Sequence, residues 1–64
     1  MLIVGAILYG FCNGEFGRDS YDDKRIEAVG VDWVVARNKR GEPEFACGST
    51  VHEDLEPHTY KKQE

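Results

Sequence analysis

Along residues 1–11 the apolar side chains Leu2, Ile3, Val4, Ala6, Ile7, Leu8, Tyr9 and Phe11 fall on both parities. A strand covered on both faces has this pattern, whereas a strand with one wet side alternates. The run is therefore predicted to be a buried strand, central in its sheet or at a subunit interface. Gly5 and Gly10 interrupt it, and glycine inside a strand marks a bulge, a bend or close approach by another backbone. A strongly curved sheet is expected. Residues 24–31 alternate only in part: Ile26, Ala28 and Gly30 share one face, and Arg25, Glu27, Val29 and Val31 the other, as in a half-buried strand. In residues 32–37, Trp33 and Val35 oppose Val34 and Ala36, in a run rich in β-formers. Gly30 and Asp32 supply the tight connection between these two strands.

Asn38, Lys39, Arg40 and Gly41 form the clearest turn, and residues 44–47 complete a hairpin with Pro43 at the start or on an edge, because proline cannot donate to the ladder. Thr50 and Glu53 have capping-box spacing, so residues 51–56 are predicted to form one or two helical turns ended by Pro57. The fold class that follows is mainly β. It is a small antiparallel meander of about four strands, an SH3-like barrel or an open curved sheet, with a short C-terminal helical turn. One domain is expected over residues 1–60, with residues 61–64 a frayed tail. The α+β alternative, with residues 19–28 helical, has too weak a 3.6-residue pattern in Ile26, Ala28 and Val29.

Sixty-four residues leave little margin for a monomer, since a chain of this size buries only about 60% of its unfolded surface. A homo-oligomer is the expectation. With 41% hydrophobic and 31% charged residues the composition is that of a globular protein, not a disordered one. The net charge of −4 opposes direct nucleic-acid binding, which needs clustered cations. Only Lys39 and Arg40, beside Arg37, make such a cluster. The sign of the charge permits an acidic surface imitating nucleic acid but does not require it. The two cysteines lack CxxC spacing and cannot build a multi-bridge framework, so they read as free cytosolic thiols at strand ends. The first run has no basic leader and is far shorter than the roughly 20 apolar residues of a spanning helix. A soluble, cytoplasmic protein with no membrane contact is expected.

Candidate chemistry concentrates in residues 12–23, CNGEFGRDSYDD, which combine turn-forming glycines with an arginine and four carboxylates. Gly14, Glu15, Gly17, Arg18, Asp19, Tyr21, Asp22 and Asp23 are the candidate ligand- or partner-binding residues, held out by a rigid sheet. Amides around Gly14 and Gly17 would make a nest for an anion and Arg18 its charge. The plainer reading is that Asp19 and Asp22 form turns and Arg18 pairs with a neighbouring carboxylate. Glu15, Asp19, Asp22 and Asp23 resemble calcium ligands but depart from the EF-hand order. Cys12, Cys47, His52 and His58 are zinc-ligand types at the wrong spacing. No metal and no cofactor is expected. Nucleophilic catalysis would need Cys12 or Ser20 activated by His52 or His58, and so short a chain has little room for a pocket around them. Trp33, Phe45, Tyr9 and Phe11 read as core, because the face carrying Trp33 offers only Arg37 beside an aromatic platform.

The run YGFCNGEFGRDSYDDKRIEAVGVDWVVAR, residues 9–37, resembles small uncharacterised proteins encoded by bacteriophages and covers a little under half of the chain. The resemblance supplies no catalytic residues. It implies a non-enzymatic accessory protein, acting in the host cytoplasm, that binds and modulates or inhibits a host protein, counter-defence included. The alternative is a sponge that sequesters an anionic nucleotide signal at a subunit interface, with Arg18 and the loop amides on its phosphates. A small hydrolase is the third class.

Overall fold

The computed structural model describes residues 1–10, 12, 14–17 and 21–60. Four strands, β1 (Ile7–Leu8), β2 (Lys24–Val29), β3 (Trp33–Arg37) and β4 (Pro43–Cys47), pair antiparallel in chain order. They form an open sheet that does not close into a barrel. A helix, α1 (Val51–Leu55), runs on into a 3₁₀ segment (Glu56–Thr59). The mainly β meander with a short C-terminal helix is the architecture the patterning predicts.

One face of the sheet carries the core. Leu8, Ile26, Val34, Ala36 and Ala46 cluster there with Val51 and Leu55 of α1 and with Leu2, Cys12 and Phe16. Val51 and Leu55 stand four apart on one side of α1, so a helix barely longer than one turn presents two apolar groups to the sheet. Ala36 and Ala46 are short, which leaves room for that approach.

The turns follow their residues. Asn38 N–H donates to the Glu42 carbonyl (3.0 Å) and Gly41 N–H to the Asn38 carbonyl (2.9 Å), with Gly41 at φ +81°. This is a three-residue hairpin loop closed by a glycine bulge. The Asn38 side chain, buried, ties it further: Oδ1 accepts from Arg40 N–H and Glu42 N–H, and Nδ2 donates to Glu44 Oε2 at 2.8 Å. Between β2 and β3 the loop is the two residues Val31 and Asp32, with Gly30 N–H on the Trp33 carbonyl (2.8 Å).

The first run is where the sequence reading is corrected. It is not a central strand: β1 has two residues and lies at a sheet edge, and Ile3 and Val4 are 68% and 61% exposed. Phe11 lies outside the described residues. The reason is Gly5, at φ +94° in a turn closed by Ala6 N–H on the Ile3 carbonyl (3.2 Å). That is the place where a type II turn requires a positive φ. Gly5 N–H then bonds Ile26 O while Ile26 N–H bonds Ala6 O, both at 2.8 Å. Two residues thus oppose one, a second glycine bulge, and the chain upstream leaves the sheet.

A bulge also explains the imperfect alternation of β2. Arg25 and Ile26 pair with Arg37 and Ala36, but Ala28 and Val29 pair with Val35 and Val34, so Glu27 is the extra residue. Beyond it the parity flips. Val29, assigned above to the face of Arg25, packs against the core with Ile26. Trp33 and Phe45 are corrected the other way: they share the outer face, rings stacked at 6.3 Å, and Phe45 is 56% exposed. Gly30 lies beneath that indole, where a Cβ would stand 1.9 Å from Trp33 Nε1.

Two helix details differ from expectation. Thr50 is the N-cap residue but makes no side-chain cap bond, and its hydroxyl donates instead to Asp54 Oδ2 (2.9 Å), so no capping box with Glu53 forms. Pro57 does not end the helical segment, because it sits in the first turn of the 3₁₀ stretch, where the N–H it lacks has no required partner. Gly30→Ala is expected to lever the single tryptophan off the sheet, lowering stability by about 1–3 kcal/mol and red-shifting its fluorescence. Denaturant unfolding followed by tryptophan emission measures both.

Candidate functional site

Gly10, Phe16 and Asp22 are gathered around a lysine that the sequence reading passed over. Lys24, at the start of β2, is only 1% exposed, and its Nζ donates to the carbonyls of Gly10 (3.2 Å) and Asp22 (3.3 Å). It also lies 5.5 Å from the centre of the buried Phe16 ring. A buried ammonium persists only when oxygen acceptors replace its water, and the two ends of the loop supply them. Gly10 is held from its other side as well, its N–H on Asp23 Oδ1 (3.0 Å), while Cys12 Sγ lies 3.5 Å from its carbonyl. The signal for Lys24 was legible: it stands two before Ile26 on the buried parity of β2.

Within this frame, Gly14 and Gly17 adopt φ of +77° and +72°. Glu15 N–H bonds the Cys12 carbonyl and Gly17 N–H the Gly14 carbonyl, each at 3.0 Å. Those two amides are engaged inside the loop and do not point at an external anion. Phe16 between them turns into the core. Arg18, Asp19 and Ser20 lie outside the described residues. Tyr21 is 79% exposed and, with Asp22, Asp23 and Lys39, lines an open depression of about 420 Å³. The structure therefore brings Tyr21, Asp22 and Asp23 together and adds Lys39 from the β3–β4 turn. Among the described residues the Asp22 carboxylate has no hydrogen-bond or ion-pair partner, whereas Asp23 is tied to Gly10.

His52 is a second tie that the sequence did not reveal. Its Nδ1 accepts from Leu2 N–H (3.2 Å) and its Nε2 donates to the Gly30 carbonyl (2.6 Å), joining the N-terminal segment, the β2–β3 turn and α1. With both ring nitrogens on backbone, His52 is placed as a structural link. Cys12 is fully buried outside any strand and Cys47 is exposed at the end of β4; both are free thiols. Among the described residues no three His, Cys, Asp or Glu side chains gather as a metal site, and no helix is long and apolar enough to cross a membrane.

The exposed cations collect at one end of the sheet. Arg25 and Arg37 are directly opposed across β2 and β3, and Lys39 and Arg40 occupy the adjoining turn. Like charges placed so repel. Glu27, pushed out by the bulge, relieves this by accepting from Arg37 Nε, while Arg37 Nη1 donates to the Gly41 carbonyl (2.7 Å). That hydrogen bond, with the charge attraction beside it, holds the Glu27 carboxyl below its ordinary value and raises Arg37. The contribution is present at neutral pH and is lost as the pH falls through the lowered Glu27 value. Both groups are at the surface, so solvent screens it.

No family model, no curated protein and no solved structure matches this chain. The class is defined by the fold alone: a four-stranded antiparallel meander, covered on one face by a helical segment and carrying an anchored loop between its first two strands.

Lys24→Met keeps the buried stem but leaves the Gly10 and Asp22 carbonyls without their ammonium donor. It is expected to cost about 1–3 kcal/mol. Amide exchange should rise across residues 10–23 more than in β3, and urea unfolding with site-resolved exchange reads both quantities.

Proposed function

We infer that this protein is a non-enzymatic binding protein that docks on another protein through the loop residues that lead into β2. The observation that carries this reading is Tyr21, an exposed aromatic beside the Asp22 carboxylate, which has no partner among the described residues, on a backbone pinned by the buried Lys24. A tyrosine presents large amphipathic area at low entropic cost, and a pinned loop has less ordering left to lose on binding. Asp23 and Lys39 share the Tyr21 depression, and Gly14, Glu15, Gly17, Arg18 and Asp19 are included on the sequence pattern alone. The resemblance of residues 9–37 to phage products makes the partner a host protein and the effect its modulation or inhibition.

The nucleotide-sponge reading draws less support, because the Glu15 and Gly17 amides are engaged within the loop. A hydrolase draws less again, since both nitrogens of His52 bind backbone. The test is affinity purification from host cells with quantitative mass spectrometry, comparing wild type with Tyr21→Ala, Asp22→Lys and Arg18→Glu. Loss of the enriched partner by about tenfold or more is expected for Tyr21→Ala, as for an interface hot spot of about 2 kcal/mol, with melting temperatures unchanged. Full retention of the partner by all three variants would sink the reading.

A further inference from the structure

The sheet has two edges, and they are treated differently. On β1, residues 6 and 8 face β2, and the outward amide that follows, Tyr9 N–H, is taken by the His58 carbonyl of the 3₁₀ segment (2.8 Å). Just past β1, that edge is thus covered by the helical segment at Tyr9. On β4 nothing comparable occurs among the described residues. The bond from Asn38 N–H to Glu42 O, with the register Ala36 to Glu44 and Val34 to Ala46, sets the phase of the β3–β4 ladder. Residues 44 and 46 therefore address β3, and the backbone groups of Pro43, Phe45 and Cys47 point away from it.

We propose that β4 pairs edge to edge with β4 of a second copy of this chain, antiparallel about a two-fold axis through Phe45, to give one continuous eight-stranded sheet. The three outward positions are symmetric about Phe45. The two Phe45 residues exchange N–H to carbonyl bonds, and each Cys47 N–H meets the carbonyl of the partner's Pro43. Proline costs one bond there: its carbonyl accepts from Cys47 N–H, while the partner's Cys47 carbonyl, at the end of the ladder, is left to solvent. On the outer face Phe45 meets the partner's Phe45, an aromatic cross-strand pair backed on each side by Trp33. On the other face Glu44 lies across from the partner's small Ala46, which leaves the carboxylate space.

Charge selects the same occupant. The antiparallel arrangement carries the Lys39 and Arg40 turn of one copy towards the partner's β4–α1 connection, where the first helical turn holds the exposed acids Glu53 and Asp54. Among the described residues the Arg40 guanidinium pairs with its neighbour Glu42, at 3.2 Å on the surface. A parallel pairing would set the two basic turns side by side.

The register makes a chemical prediction. Residue 43 of one copy and Cys47 of the other form a hydrogen-bonded pair, whose Cα separation of about 5.5 Å is within disulfide range. Within one chain the same two positions are about 13 Å apart along the strand and cannot be bridged. Under mild oxidation Pro43→Cys should give a covalent dimer that reduction reverses, while wild type, oxidised alike, stays uncrosslinked. Light scattering at micromolar concentration should give twice the chain mass for wild type and the single mass for Phe45→Lys, with circular dichroism confirming that the variant is folded. Ile3→Lys, on the exposed apolar N-terminal segment, should leave the mass doubled. The proposal is overturned by a wild-type monomer, by a Pro43→Cys variant that does not crosslink, or by dissociation in Ile3→Lys but not in Phe45→Lys. Because none of these substitutions touches Tyr21 or Asp22, failure here is distinct from failure of the loop as a docking site.

Discussion

A four-stranded sheet has two faces and two edges, and this chain has one helical segment of nine residues with which to cover them. That shortage governs the rest of the molecule. The segment packs on the inner face through Val51 and Leu55 and, with its last carbonyls, closes the β1 edge at Tyr9. The outer face keeps Trp33 and Phe45 at the surface, and β4 keeps an open ladder. In a larger domain a second layer would take both.

So small a core is reinforced by polar ties aimed at backbone. Lys24 gathers the two ends of the long loop, and His52 joins three segments distant in sequence. Asn38 does the same for the β3–β4 hairpin. Each directs donors or acceptors onto main-chain groups of a turn or loop. The asymmetry between a modest net gain when such a bond is made and a larger loss when it is broken makes these ties specific as well as stabilising. They also hold the described residues on either side of the β1–β2 connection in place. Gly10 and Asp22 are fastened to a buried cation, Phe16 is packed in the core, and Tyr21 faces solvent.

Bulges set the remaining geometry. The glycine bulge at Gly5 takes the N-terminal residues out of the sheet, and the one at Gly41 closes the β3–β4 turn. The bulge at Glu27 rotates the end of β2 so that Val29 joins the core, and it brings a carboxylate to Arg37 between two opposed arginines. One inserted residue therefore settles both packing and electrostatics on that strand.

Strand order, the two tight hairpins, the split of Val34 and Ala36 from Trp33 and Val35, and the short helix follow from local chemistry, which is why the sequence determines them. Period-two alternation reports which side chains share a face, and Asn, Gly and Pro report where the chain turns. The polar, glycine-rich loop was legible in the same way; that Lys39 joins Tyr21, Asp22 and Asp23 around one depression was not. Alternation does not report which face will be covered, nor by what. Trp33 and Phe45 were read as core because aromatic residues usually are, yet the helix chose the opposite face, where Ala36 and Ala46 let it approach. The doubly apolar first run read as a central strand because its composition is the same whether Gly5 bends it into a turn or leaves it straight. Lys24, Asp23 and His52 each take part of their role from a carbonyl or amide 13 to 50 positions away in sequence. Those partners are brought within reach by the tertiary fold alone.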